Sequence, residues 1–190
     1  CLRNPLPPET KYGLSEGAGG YVLYFGRLSA EKGVKTLIDA AIKANVRLVI
    51  LGTGPMEEEL RLYAKDQKRV EFKGFQAGEA LQNYIKNARC VVLPSEWYEN
   101  GPYSAMEAMA QGKPLLVSDK GGLPELVEDG VNGYIFHSKE ELGECLMQLV
   151  TLDERVYRKM CESSLERAKA LFDPQKYVEK LLEYYQEIKK

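Results

Sequence analysis

Metal-ligand spacing is the plainest absence in this sequence. It holds a single histidine, His137, and its four cysteines, Cys1, Cys90, Cys145 and Cys161, form no C-x-x-C pair. One histidine without paired cysteines argues against a zinc framework, and the scattered thiols argue against a compact disulfide scaffold. Cys90 lies inside the apolar run Cys90-Val-Val-Leu93, so free thiols in a reducing compartment are expected. His137 follows Tyr134-Ile-Phe136 at a strand end and reads as a solvated loop residue. Charge of one sign is also lacking: a formal net charge of -2 makes no broad field toward nucleic acid or an acidic membrane, so any phosphate contact must be local. No apolar window approaches a transmembrane length, and residues 1–20 lack the basic-then-apolar order of a secretory leader. A cytoplasmic location is expected.

What is present is alternation. The length of 190 residues and a hydrophobic content of 44% suit one domain with a substantial core, or one domain and an appendage. Apolar runs at 21–25, 47–51, 70–72, 90–93, 115–118 and 133–136 read as strands, and most stretches between them have helical periodicity. The pattern predicts an α/β fold, a Rossmann-like doubly wound parallel sheet of about six strands with helices on both faces. Leu37, Ile38, Ala41 and Ile42 give the first helix a buried stripe, and Met56, Leu60 and Tyr63 do the same for the second. From Lys139 onward the character changes to three helical stretches, 139–149, 154–169 and 175–189, with Asp173-Pro174 at the last break. The last carries a stripe of Tyr177, Leu181, Tyr184, Tyr185 and Ile188. Upstream, Arg3-Asn-Pro-Leu-Pro-Pro8 reads as a proline-stiffened connector and Ser15-Glu-Gly-Ala-Gly-Gly20 as a mobile loop. Three parts follow: a linker and loop at 1–20, the α/β domain at 21–172, and a terminal amphipathic helix at 173–190.

In a doubly wound sheet, ligands lie at the carboxyl ends of the strands near the switch in strand order. Arg27, Gly52-Thr-Gly54, Gly74-Phe-Gln76, Glu99 and Gly121-Gly122 all follow predicted strand ends, so the topology gathers them on one edge. Within Glu99-Asn-Gly-Pro-Tyr-Ser-Ala-Met-Glu107 two carboxylates flank a Gly-Pro break and a helix start. Pro102 suits the first turn, where its missing N–H costs nothing, and the amides near Gly101 to Ser104 would point out of the helix end toward an anion. Glu107, about a turn further in, could accept from ribose hydroxyls, and Glu99 would reach the other end of one ligand. That is the layout of a nucleotide-sugar site, although a random pair at this spacing is better read as a helix-end charge and a solvated face. In Tyr21-Val-Leu-Tyr-Phe-Gly-Arg-Leu-Ser-Ala-Glu-Lys-Gly33, Arg27 leaves the strand, and Lys32 falls in the first helical turn if Ser29 is the N-cap. A lysine there opposes the helix dipole, which points to an anion nearby; the alternative is a pair of ordinary surface cations beside Glu31. Phe75 is equally a core residue or a stacking platform.

Gly26-Arg27-x4-Lys32-Gly33, Pro94-Ser95-x3-Glu99-Asn100-x-Pro102-x4-Glu107 with Gly112-x-Pro114, and Gly121-Gly122-Leu123-Pro124-Glu125 together resemble the donor-binding half of glycosyltransferase family 4. The resemblance runs from about Tyr21 to Phe136 in the family's order. It implies one half of a GT-B fold and a retaining enzyme, with a nucleoside-diphosphate sugar as donor and no metal. By resemblance Arg27 and Lys32 hold the diphosphate, Glu107 the ribose, and Glu99 a hydroxyl of the transferred sugar. Backbone amides around Asn100 to Tyr103 would complete the grip, next to Gly26, Ser104 and the loops at Gly52, Gly54, Gly74, Phe75 and Gln76. Many members have Phe-Gly where this chain has Gly101-Pro102, which weakens the carry-over of contacts there.

The resemblance further implies that the acceptor-binding domain lies outside this chain, that the terminal helix crosses to it, and that an acceptor at a membrane surface would be met through it. An isolated donor half would be inactive. With no D-x-D pair in the sequence, Arg27, Lys32 and the helix amides take the electrostatic role of a metal. Two other readings stay open: half of a nucleotide-sugar epimerase, and a non-catalytic nucleotide-sugar binding module.

Overall fold

Four-residue apolar runs form the centre of the molecule. In the computed structural model, which describes residues 4–15 and 20–188, β1 (Val22–Phe25), β2 (Leu48–Leu51), β4 (Cys90–Leu93) and β5 (Leu115–Ser118) are buried at every position. That is the signature of parallel strands covered on both faces. β3 (Val70–Phe72) and β6 (Gly133–Phe136) close the edges and are partly exposed. All pairings are parallel, in the order β3-β2-β1-β4-β5-β6. The winding direction therefore reverses between β1 and β4, which is where a ligand crevice opens in such sheets.

Successive strand residues point to opposite faces and sort into two cores. Val22, Tyr24, Leu48, Ile50, Val92 and Leu116 pack with Leu37 and Ile38 of α1 (Val34–Lys43) and Leu142, Leu146 and Leu149 of α5 (Lys139–Thr151). On the other face, Leu23, Val49, Val91, Leu93 and Val117 pack with Ile85 of α3 (Gly78–Asn87), Met106 and Met109 of α4 (Tyr103–Ala110), and Phe172 of α6 (Glu154–Phe172). Cys90, Cys145 and Cys161 are free and buried; Cys1 lies outside the described residues, as do Arg3 and positions 16–19 of the glycine-rich loop.

Three local expectations are corrected. The helix predicted from Ser29 is interrupted: Ala30–Lys32 form a 3-10 turn, Gly33 turns left-handed (φ 65°), and α1 begins at Val34. Ile42 is 38% exposed and Tyr63 46% exposed, so neither belongs to the buried stripe of its helix. Tyr63 instead donates to Asp39 Oδ1 at 2.5 Å. Met56 precedes α2 (Glu57–Tyr63) and packs only partly against the core.

The terminal helix α7 (Pro174–Ile188) exposes Val178, Leu182, Tyr184 and Tyr185. Tyr177 and Leu181 are partly covered, and the Ile188 side chain falls outside the described residues. No helix among the described residues is long and apolar enough to cross a membrane.

Candidate functional site

At the carboxyl edge the loops are laced together by their own backbones. Gly26 N donates to Leu51 O (3.1 Å), Leu28 N to Thr53 O (2.9 Å) and Gly52 N to Gly74 O (2.7 Å), which ties the loops after β1, β2 and β3 into one rim. Across the switch point Glu96 N donates to Glu31 O at 2.9 Å. There a Cβ on Gly33 would run into Pro94 O, so a residue without a side chain is needed for the β1 and β4 loops to touch. Further along, Gly122 N donates to Glu99 O (2.7 Å), and a Cβ on Gly121 would strike the Glu99 backbone. The loop after β5 thus braces the segment that carries Glu99.

This rim encloses a hollow of about 540 Å³. Gly26 and Arg27 form one wall, the loop from Gly52 through Thr53 and Gly54 to Pro55 the floor, and Phe75, Gln76 and Leu81 the far side. Arg27 is exposed, and its carbonyl accepts from the hydroxyl of buried Tyr24 at 2.7 Å. Phe75 is 72% exposed, so of its two readings the core one is excluded and an open aromatic face remains. The Gln76 side chain donates Nε2 to Lys73 O at 2.8 Å, which holds the loop's own turn.

Lys32 and Glu99, expected to serve different parts of one ligand, are bonded to each other. Lys32 Nζ lies 2.5 Å from Glu99 Oε1, and Ser95 Oγ donates to the same oxygen at 2.6 Å. Ser95 is in turn set by β5, since Ser118 Oγ donates to Ser95 O at 2.7 Å. Ser95 is the residue that sequence reading quoted but did not assign; its only signal was its place in the Pro94-Ser95 step four positions before Glu99. Tyr24 carried no signal, because a hydroxyl at the buried end of an apolar strand looks like any core aromatic.

Pro102 is the N-cap of α4 and not its first residue. Its carbonyl accepts from Ala105 N (3.0 Å) and Met106 N (3.4 Å), so the amides of Tyr103 and Ser104 begin the helix with no carbonyl one turn back to bond. Gly101 is left-handed (φ 83°) and Asn100 is exposed. Glu107 lies about a turn inside α4. It lines an adjoining cleft of about 790 Å³, bounded by α3 and the segment from Pro7 to Lys11, and only Leu81 is common to this cleft and the hollow beside Arg27. Burial lifts the Glu107 carboxyl above its ordinary range. Among the described residues no group of three or more His, Cys, Asp or Glu could hold a metal ion.

Residues 13–170 match the family model described as glycosyl transferases group 1. The chain is 31% identical over 188 residues to an alpha-D-kanosaminyltransferase of Streptomyces kanamyceticus, which covers 94% of this chain and 48% of that protein. It is 40% identical over 125 residues to an uncharacterised glycosyltransferase of Methanocaldococcus jannaschii, covering 62% of this chain and 32% of the relative. It therefore spans about half the length, or less, of these curated relatives. Among solved structures, HepE of Anabaena in complex with UDP and glucose superposes with a TM-score of 0.78 at 26% identity, over 89% of this chain and 48% of that one. With the family match reaching across the whole sheet and every loop of the rim, the chain belongs to the group 1 glycosyl transferases.

Proposed function

We propose that this chain is the donor-binding, C-terminal half of a GT-B glycosyltransferase of family 4. It would move a sugar, with retention, from a nucleoside-diphosphate sugar to a glycan or lipid-linked acceptor held by a further domain. The observation that carries this reading is the convergence of Arg27 and the strand-end loops on one hollow, at the same carboxyl edge of the sheet whose loops also carry the Lys32–Glu99 pair. HepE, similar over most of the chain, binds UDP and glucose, which supports a ligand of this class.

In this reading Phe75 offers a face to the base and Glu107, a hydrogen-bond acceptor in a partly buried position, takes the ribose hydroxyls. Arg27 and the Tyr103 and Ser104 amides hold the phosphates. Lys32 turns from Glu99 to the diphosphate as negative charge grows on the leaving group, so its contribution is larger in the transition state than in the ground state. Glu99, released from Lys32 and held by Ser95, accepts from a sugar hydroxyl and positions the ring. It is not a nucleophile, and a same-face attack by the acceptor needs no second carboxylate of glycosidase type. These cations make a metal unnecessary. An acceptor at a membrane surface would be reached through the further domain. The transferase names of the relatives favour transfer over epimerisation or binding alone.

The test is a thermal-shift and calorimetric screen of the chain against UDP, GDP and their sugars, with Arg27→Ala beside the wild type. A ligand at about 100 Kd stabilises by about 2.7 kcal/mol. Arg27→Ala is expected to keep the fold and lose about tenfold in diphosphate affinity. Equal affinity in both proteins overturns the phosphate assignment.

A further inference from the structure

The opposite edge of the sheet, where the strands begin, holds a second hollow of about 350 Å³. Tyr21, Asn45, Arg47, Arg69 and Arg89 line it from the residues that lead into β1 to β4, and Val150 of α5 completes the wall. Three arginines therefore line one concavity in a chain whose formal net charge is -2.

Each arginine is held differently. Arg89 is 7% exposed and donates Nε to Leu149 O (3.1 Å), Nη2 to Leu152 O (3.0 Å) and Nη1 to Glu154 Oε2 (3.2 Å). Its guanidinium stacks 3.5 Å from the centre of the Tyr157 ring, so its plane is set while one N–H on each terminal nitrogen is left over. Arg47 donates Nε to Glu71 Oε1 at 2.7 Å over the ring of Tyr21, which leaves both of its terminal nitrogens available. Arg69 is exposed; its carbonyl accepts from Leu48 N at 2.8 Å, and its side chain makes no hydrogen bond or ion pair among the described residues. The carboxylates at hand are Glu71, which Lys73 also binds at 2.8 Å, and Glu154. The carbonyl end of α5 is answered by Arg89. Counted together, the surplus is positive.

We propose that this hollow binds a phosphate-bearing anion, at a site separate from the donor crevice, through the open N–H groups of Arg47 and Arg69, with the buried positive charge of Arg89 adding to the attraction. A planar fork matches two oxygens of one anion, and two forks backed by a third positive charge suit a multiply charged phosphate better than a singly charged carboxylate. The volume admits an organic portion beyond the phosphate. A soluble phosphate ester and a phospholipid headgroup share this chemistry.

The chain is titrated with inorganic phosphate while backbone amides and arginine Nε–H groups are followed by NMR. Saturable shifts at Tyr21, Asn45 and Arg47 are expected, with affinity about tenfold lower in Arg69→Ala and unchanged in Arg27→Ala. Arg69→Ala removes an exposed, unbonded side chain, so its fold is retained. Silent resonances at this edge overturn the proposal, as do equal shifts in Arg69→Ala or shifts that vanish with Arg27→Ala. A second arm co-sediments wild type and Arg69→Ala with phosphatidylglycerol vesicles, phosphatidylcholine vesicles serving as blank. Retention that needs Arg69 assigns the headgroup; phosphate binding without such retention assigns a soluble ester.

Discussion

The Glu99 carboxylate receives both of its hydrogen bonds on Oε1, from Lys32 and from Ser95, so Oε2 has no protein donor among the described residues. That asymmetry leaves one oxygen to a ligand and gives Ser95 a job distinct from that of Glu99. Ser95→Ala is expected to weaken a sugar-bearing donor by roughly 0.5–1.5 kcal/mol, the net worth of one hydrogen bond, and to leave the plain nucleoside diphosphate unaffected. Glu99→Ala should follow the same pattern more strongly, whereas Glu107→Ala should lose both ligands, since each contains ribose. Calorimetry with the nucleotide and its sugar decides: equal losses for both ligands in Glu99→Ala and Glu107→Ala defeat the division of roles. Arg27, Lys32 and Glu99 were legible as a set because strand-end position is readable from hydrophobic pattern. The mutual pairing of Lys32 and Glu99 was not, since residues 67 apart in sequence meet only through strand order.

Among the elements, the strands were legible to within a residue; for the four inner ones this is because a parallel strand buried on both faces must be a short, largely apolar run. Helix starts were less so. Ser29 has the extended backbone of an N-cap, yet its hydroxyl goes to Glu31 Oε1 at 2.5 Å and caps no amide. Gly33 then breaks the turn, and the cause is external: Pro94 O occupies the space a side chain would need. Gly33→Ala is therefore expected to cost about 1–3 kcal/mol, from the left-handed backbone and the clash together, and to lower donor affinity by parting the β1 and β4 loops. Urea denaturation with parallel nucleotide binding measures both. An alanine variant as stable as the wild type would show that the loops do not depend on this contact.

For the molecule as a whole, the exposed row Val178, Leu182 and Tyr185 on α7 is a surface that water covers poorly and a second domain could cover well. Relatives about twice as long suggest where such a domain comes from. The chain of 190 residues is expected to bind donor and transfer nothing, because attack needs donor and acceptor held together in a closed, dry site. A longer chain with an upstream Rossmann-like domain should transfer the sugar with chelator present. Product formation by the two chains is the measurement; turnover by the short one, or strict metal dependence in the long one, contradicts the reading.

The strand order carries a consequence for how the chain is made. β1 pairs with β2 as soon as one helix separates them, but its other neighbour is β4, where Val22 meets Cys90 after two more strands and helices have been synthesised. Until then one side of an entirely apolar strand is an open edge, able to join a wrong partner. Closing the β1–β4 seam is a long-range event and sets the pace of folding. Because Lys32 comes from before that seam and Glu99 from after it, a nascent chain would become competent to hold its ligand no earlier than this closure, and ligand present once the site forms would favour the correct pairing over the wrong one.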